Sequence, residues 1–241
     1  MACDMLAELC RSIASTSSMD TFHEVVAGLP MRLGFASCAY YQLSILGEFA
    51  TPKVVFGADP SPWTETYISR DYLSIDPLTP LLFRSDLPFT MMEAEMQHSS
   101  PSSLHSERLL YWSRDALFCP VFSSYGEVGV VVWKSEDELA PDPEDRLALA
   151  AISSALVVKF KYLSGRNILP DLPLRPLSRR ERECCYWLSR GKSGPEVAKI
   201  LNLSTHTVRQ YLDSAVQKLG AANRGEMLLR AATLGLITRH A

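Results

Sequence analysis

Apolar positions in the first two thirds of the chain follow two spacings, one typical of helices and one typical of strands. Helical spacing predicts one helix at 20–33, which Asp20 is placed to cap, and a longer helix at 143–163. Strand-like runs cover 36–45, 52–56, 117–123 and 128–133, and two shorter helices are predicted near 62–69 and 104–115. The sequence SYGE at 124–127 is typical of a hairpin turn. The pattern therefore predicts an α+β unit, an α-β-α sandwich around an antiparallel sheet.

The helix predicted at 143–163 is apolar on two sides. One stripe consists of Leu149, Ile152, Leu156, Phe160 and Leu163, and the other of Ala148, Ala151, Ala155, Val158 and Tyr162. A helix with two apolar faces is typically buried on both. We expect the sheet to cover one stripe and a partner subunit to cover the other.

The last third of the chain follows helical spacing throughout. Ser178 with Glu181 and Ser193 with Glu196 have the spacing of capping boxes, and Ser204 is placed to cap a third helix. The sequence NRGEMLLRAATLGLI supplies a fourth helix. Two short helices, a turn and a longer helix are typical of a helix-turn-helix, so we expect an all-α domain of four helices.

A proline-rich segment, LPDLPLRP at 169–176, separates these two patterns. Proline disfavours helix and holds the chain extended, as in a linker. The sequence thus predicts an N-terminal domain at 1–168, a linker at 169–176 and a C-terminal domain at 177–241.

The net charge of −3 is the sum of two unlike parts. Residues 175–241 contain twelve Lys and Arg against five Asp and Glu, a net charge of +7, whereas residues 1–174 carry a net charge of −10. An asymmetry of this size indicates that the basic part meets an anionic polymer.

The third C-terminal helix has the pattern of a DNA-reading helix. An apolar stripe, Val208, Leu212, Ala215 and Leu219, would hold it against the bundle, and the opposite arc presents His206, Arg209, Gln210, Asp213 and Gln217. In the major groove Arg pairs with guanine and Gln with adenine. Asp213 would repel phosphate, so it must face a base amino group, pair with a cation or lie off the contact surface. The alternative is that these residues are simply solvated.

This C-terminal part resembles the DNA-binding domain of LuxR-type transcription regulators over about fifty residues. The matching positions include Glu181, Glu183, Trp187, Gly191, Lys192, Ser193, Glu196, Thr207, Val208, Lys218, Leu219, Asn223 and Arg224. The DNA-binding residues expected from pattern and resemblance together are Lys192, Ser193, Thr205, His206, Thr207, Arg209, Gln210 and Lys218. Tyr211 and Ser214 replace a common His and Asn, so no base preference is implied. Cys184 and Cys185 fall at core positions.

The N-terminal part lacks the acidic cluster of a phosphorylated receiver domain and instead resembles the autoinducer-binding domain of quorum-sensing regulators. Trp63, Tyr67, Asp76 and Pro77 stand at that family's spacing. The resemblance implies an N-acyl-homoserine lactone whose amide N–H donates to Asp76, whose lactone carbonyl accepts from Trp63 and whose acyl carbonyl accepts from Tyr67. A ligand with two carbonyls and one N–H needs this set of partners in an apolar pocket.

Further pocket residues are implied by the same resemblance, and some depart from its pattern. The implied contacts are Leu78, Tyr72, Met91, Phe118 and Val132. Met91 stands near a usual tryptophan, Ala116 at a usual glycine and Val132 near a usual hydroxyl residue. A different small ligand, or a domain that needs none, therefore stays open. Core packing of Trp63 and Tyr67, and a turn cap at Asp76, are the structural alternatives.

The sequence therefore predicts a ligand-responsive transcription regulator that binds a palindromic promoter site as a homodimer and contacts RNA polymerase. The alternative is an orphan regulator or anti-activator that forms mixed dimers. Five scattered histidines accompany no nucleophile motif, so we expect no enzyme. The six cysteines form no Cys-x-x-Cys pair, and we expect free thiols and neither metal nor cofactor. No apolar run approaches the ~18 residues of a membrane span, and we expect a cytoplasmic protein.

Overall fold

The computed structural model describes residues 3–44, 53–57, 63–97, 99–111, 115–122, 127–165 and 176–237. The chain divides into two units, Met1–Ile168 and Leu169–Ala241, and each is described by itself. The predicted linker lies outside the described residues apart from Pro176, as does the hairpin turn apart from Glu127.

The N-terminal unit combines helices with short strands. Its helices are α1 (Cys3–Ser15), α2 (Met19–Arg32), α3 (Trp63–Ser69), α4 (Leu78–Leu82), α5 (Met91–Gln97), α6 (Ser102–Tyr111) and α7 (Pro143–Leu163), with a 3-10 turn at Tyr72–Ser74. Its strands are β1 (Ser37–Ser44), β2 (Lys53–Gly57), β3 (Phe89–Thr90), β4 (Asp115–Phe122) and β5 (Glu127–Ser135).

Within the described residues the strands form one antiparallel sheet in the order β2-β1-β5-β4-β3. Alternate side chains of a strand point to opposite faces, and the sheet is apolar on both. Tyr40 and Trp133 join the cluster made with α1, α2 and α7, whereas Tyr41 and Val132 join the cluster made with α4 and α5. The predicted sandwich of helices on both faces of an antiparallel sheet is confirmed.

Helix α7 covers the sheet with one of its two predicted stripes. Ile152 and Leu156 are fully buried, and Ser153 accepts a hydrogen bond of 2.9 Å from Trp133 Nε1. On the other side Val158 and Tyr162 are 59% and 67% exposed. The fold of the single chain therefore buries one face of α7, and the expectation that a partner covers the second face stays a prediction.

Several N-terminal details differ from the sequence-based expectation. Ser18, not Asp20, caps α2, because its hydroxyl accepts the Thr21 N–H at 3.2 Å. Helix α6 ends at Tyr111 rather than 115, since Asp115 already belongs to β4 and pairs with Ser135. Helices α1, α4 and α5 were not predicted at all.

The C-terminal unit is helical, with α8 (Arg179–Ser189), α9 (Gly194–Leu201), α10 (Thr205–Lys218) and α11 (Arg224–Thr233). Its buried core contains the predicted stripe of α10 together with both adjacent cysteines. Cys185 Sγ lies 3.3 Å from Met227 Sδ. Burial raises the pKa of the Cys184 thiol to about 11 and that of Cys185 to about 12. Both thiols are therefore protonated, unreactive core residues.

A buried carboxylate, Glu181, fixes α8 to α10. It completes the predicted capping box by accepting the Ser178 N–H at 2.6 Å, and it accepts from Ser214 Oγ at 2.7 Å and Lys218 Nζ at 2.8 Å. Burial works to raise the pKa of Glu181, but the hydrogen bonds from Lys218, Ser214 and Ser178 hold it below its usual value. The contacts therefore favour the charged form and set the orientation of α10.

Replacing Glu181 with Ala should lower the free energy of unfolding of the C-terminal unit by about 2–4 kcal/mol, because Lys218 and the Ser178 N–H lose a buried partner. Since the folded pKa of Glu181 is depressed, wild type should lose this contribution as the pH falls from the ordinary glutamate pKa through the lower folded one. Denaturant unfolding of residues 169–241, followed by circular dichroism, measures both effects.

Glu183→Ala is the matched control. Among the described residues of α8, Glu183 forms ion pairs with Arg179 and Arg180, and both arginines are exposed. This variant should cost no more than about 1 kcal/mol. Equal losses for the two variants would contradict the structural role of Glu181.

Candidate ligand pocket and nucleic-acid interface

A cavity of about 70 Å³ lies in the N-terminal unit, between one face of the sheet and the segment from α3 to α4. Its lining is almost entirely apolar. The sheet contributes Tyr41, Phe118, Val130 and Val132, and the helical side contributes Trp63, Thr64, Tyr67, Leu73, Asp76, Leu78, Leu82 and Arg108. The cavity is therefore an apolar space with a small polar group at one side.

Six of the eight predicted ligand-binding residues line this cavity: Trp63, Tyr67, Asp76, Leu78, Phe118 and Val132. The other two do not. Tyr72 is buried behind Trp63, with the two rings stacked at 6.1 Å, and Met91 packs at the start of α5 in the adjoining apolar cluster. The structure thus brings the predicted polar trio together, while contact of any of these residues with a ligand stays a prediction.

The local fold explains why Asp76 faces the cavity. The 3-10 turn at Tyr72–Ser74 ends in a hydrogen bond of 2.8 Å from the Asp76 N–H to the Tyr72 carbonyl. Asp76 Oδ1 then accepts the Leu78 N–H at 2.9 Å, which caps the first turn of α4. The turn-cap alternative is therefore correct, but it does not exclude the pocket role, because the same carboxylate lines the cavity.

Asp76 is the centre of a buried polar chain. Its Oδ2 accepts the Tyr67 hydroxyl at 2.9 Å, and its Oδ1 accepts Arg108 Nη2 at 3.2 Å. Arg108 Nη1 in turn donates to Glu95 on α5 at 2.9 Å. Asp76 is 3% exposed and Arg108 is 1% exposed, so both charges are removed from water.

Burial decides the protonation of these groups. It raises the pKa of Asp76, and the positive charge of Arg108 with the hydrogen bonds from Leu78 and Tyr67 offsets part of that rise. Burial and the negative charge of Asp76 raise the pKa of Tyr67 above its usual value. Tyr67 is therefore a protonated donor, and Asp76 is an acceptor that is already engaged.

The cavity is small for its predicted ligand. For comparison, an engineered apolar cavity of about 150 Å³ holds one molecule of benzene. An acyl-homoserine lactone is larger than benzene, so binding of this predicted ligand would require a wider space between the sheet and α3–α4. It would also require a new partner for Tyr67 or Asp76, which bond to each other here.

Arg108 was missed by the sequence-based reasoning. It lies one helical turn after the fully buried Leu104 on α6, and so occupies a position in the buried stripe. An arginine in the apolar stripe of a helix signals a buried ion pair, and that signal was present in the sequence.

The surface of α10 is as predicted. Its apolar side is buried and its outer arc, with Thr205, His206, Arg209 and Gln210, is exposed. Ser204 caps the helix by accepting the Thr207 N–H at 3.0 Å. Asp213 pairs with cations, which was one of the three predicted possibilities. It lies 2.9 Å from Arg224 of α11 and 3.7 Å from Arg209.

Of the other four predicted DNA contacts, Thr207 is half-buried with its hydroxyl 2.8 Å from that of Ser204, and the remaining three are held by carboxylates within the unit. Glu196 accepts the Ser193 hydroxyl at 2.6 Å and lies 3.6 Å from Lys192 Nζ. Lys218 is held by Glu181 on the inner side of α10, where it has a structural role. The exposed outer arc of α10 is therefore the surface best placed for DNA.

No group of three or more His, Cys, Asp or Glu side chains in the described part of the chain could hold a metal ion. Across the same residues, no helix is long and apolar enough to cross a bilayer.

Two variants should separate the contributions of Tyr67 and Asp76 to the free energy of unfolding. Tyr67→Phe removes one donor and should lower the free energy of unfolding by about 1 kcal/mol. Asp76→Asn also leaves the buried Arg108 short of a counter-charge and should cost about 3–5 kcal/mol. Denaturant unfolding of the ligand-free chain measures both. Equal losses would mean that Arg108 does not depend on Asp76.

Comparison with known families accounts for both units. Residues 18–160 match the autoinducer binding domain, and residues 175–231 match the luxR family of bacterial regulatory proteins. This family consists of transcription regulators rather than enzymes.

Curated relatives match over most of their length. The transcriptional activator protein AhyR of Aeromonas hydrophila is 24% identical over 97% of this chain and 92% of its own. The HTH-type quorum sensing-dependent transcriptional regulator RpaR of Rhodopseudomonas palustris is 26% identical over 74% and 72%. These matches do not favour the orphan or anti-activator alternative.

The fold is shared with solved structures. Escherichia coli SdiA superposes with a TM-score of 0.59 at 18% identity, over 98% of this chain and 99% of that one. SdiA in complex with octanoyl-rac-glycerol gives 0.61 over 99% and 97%. The chain belongs to the LuxR family and is a ligand-responsive transcription regulator, in which an autoinducer-binding domain controls a helix-turn-helix DNA-binding domain.

Proposed function

We propose that the N-terminal unit senses an N-acyl-homoserine lactone and that the chain binds a palindromic promoter site as a homodimer. The convergence of Trp63, Tyr67 and Asp76 on one apolar cavity carries this proposal. These three side chains supply the two donors and one acceptor that the lactone head group needs, and the apolar walls suit an acyl chain.

Ligand binding has a clear energetic source. The ligand amide replaces the Tyr67 hydroxyl as a donor to Asp76, and Tyr67 turns to the acyl carbonyl, so neither Tyr67 nor Asp76 is left without a partner. The acyl chain meanwhile removes apolar surface from water as the cavity widens. A ligand that binds only the folded state stabilises it, which links folding of this unit to the signal.

A second copy of the chain is the occupant that we propose for the outer face of α7. That face exposes Leu147, Val158 and Tyr162, by 64%, 59% and 67%. A two-fold dimer would present two copies of α10 to half-sites about one turn of DNA apart. The naming of relatives as transcriptional activators supports a contact with RNA polymerase, and a DNA target supports a cytoplasmic location.

Ligand extraction tests the sensing part of this proposal. The full chain is expressed with and without a panel of N-acyl-homoserine lactones, purified and extracted for mass spectrometry. We expect one lactone to co-purify at about one molecule per chain and Asp76→Asn to lose it. Arg209→Ala, altered only in the DNA-binding unit, should retain it. Soluble protein that carries no lactone from any culture would rule out this ligand class.

Substitution of Arg209 tests the DNA-reading role of α10. With duplexes selected from a random pool, Arg209→Ala should weaken specific binding by about 1–3 kcal/mol and relax the preference at one base pair. Arg209→Lys keeps the charge but loses the bidentate geometry, so it should recover salt-dependent binding and not the preference.

Arg179→Ala is the charge-matched control, because Arg179 is exposed at the start of α8 and pairs with Glu183. It should leave the base preference intact. An unchanged preference in Arg209→Ala would assign base reading to another residue of α10.

A further inference from the structure

The guanidinium of Arg108 has one nitrogen without a partner. Nη1 donates to Glu95 and Nη2 to Asp76, whereas Nε is buried and has no acceptor among the described residues. Arg108 also lines the cavity. A buried N–H of a charged group that makes no hydrogen bond is costly, so a ligand that supplies an acceptor gains affinity.

The acceptor should be a neutral oxygen. Arg108 already lies between two carboxylates, Asp76 at 3.2 Å and Glu95 at 2.9 Å. A third negative charge in this apolar space would lack a counter-charge and would be strongly disfavoured. A ketone or hydroxyl oxygen accepts the Nε–H without adding charge.

The position of this oxygen on the ligand follows from the polar chain. Nε and Nη2 belong to the same rigid guanidinium, and Nη2 bonds to the carboxylate that would receive the ligand amide. An oxygen that reaches Nε must therefore lie within a few bonds of that amide. The lactone and acyl carbonyls are assigned to Trp63 and Tyr67, so Arg108 requires a third oxygen, on the acyl chain close to the amide.

We propose that Arg108 is a specificity-determining residue whose Nε–H donates to an oxygen on the third carbon of the acyl chain, so that 3-oxo or 3-hydroxy acyl-homoserine lactones are preferred over unsubstituted ones. This inference rests on the proposed function, since it assumes that the head group binds at Asp76. A charge-assisted hydrogen bond of this kind corresponds to about a 10- to 100-fold preference.

A competition experiment measures the preference directly. The full-length protein is expressed in medium with equal concentrations of N-octanoyl-, N-(3-hydroxyoctanoyl)- and N-(3-oxooctanoyl)-homoserine lactone, then purified, and the extracted lactones are quantified by mass spectrometry. We expect one oxygenated lactone to exceed the unsubstituted one by about tenfold or more. These three ligands share chain length and head group, so the ratio reports the third-carbon oxygen.

Two variants assign the preference to Arg108. Arg108→Lys keeps a positive charge between Asp76 and Glu95 but lacks Nε, and should bring the ratio to within about threefold of unity. If it gives no soluble protein, Arg108→Met, of similar length and without a donor, takes its place. Tyr67→Phe removes a donor that all three lactones use, so it should lower the total bound and keep the wild-type ratio.

The outcomes are distinguishable. A wild-type ratio within about threefold of unity overturns the inference and leaves the proposed function standing, as does an Arg108 variant that keeps the wild-type ratio. Wild-type protein that carries none of the three lactones, nor any from a wider panel, overturns the proposed function itself.

Discussion

The N-terminal unit is organised by one constraint, which is that a carboxylate and a guanidinium removed from water must satisfy each other. Asp76 and Arg108 lie 3.2 Å apart beneath an apolar sheet face, and neither has solvent to replace its partner. Loss of one member of such a pair strongly destabilises the fold, because the other charge stays buried without a partner. The pair also keeps a charged acceptor and charged donors at the wall of a cavity. A core of apolar side chains alone would offer no such groups. In the proposed function, this buried pair therefore supplies the polar groups that recognise a ligand head group.

The same pair joins the separate helices that cover this face of the sheet. Arg108 on α6 reaches Glu95 on α5, and two residues earlier on α5 Glu93 makes a bidentate ion pair with Arg146 near the start of α7, with contacts of 2.7 and 2.9 Å. Helix α5 therefore contacts the cavity-lining Arg108 through Glu95 and helix α7 through Glu93.

Periodicity predicted the elements whose apolar stripes are long. Helix α7 and the buried side of α10 agree with the sequence in residue detail, because many positions contribute to each pattern. Helix α4 is only five residues long and contains Pro80, so neither period nor propensity marks it. The polar trio of the pocket was found through family resemblance. The ion pair between Asp76 and Arg108 was not, because it joins residues 32 positions apart and no local rule states such a contact.

A double-mutant cycle between Asp76 and Arg108 tests the central claim most directly. The free energies of unfolding of the full chain are compared for wild type, Asp76→Asn, Arg108→Met and the double variant. If the buried pair is the organising contact, the second substitution costs much less once the first is made, and the coupling energy is at least about 2 kcal/mol. If the loss in the double variant equals the sum of the two single losses to within about 0.5 kcal/mol, the two side chains are independent and the account is contradicted.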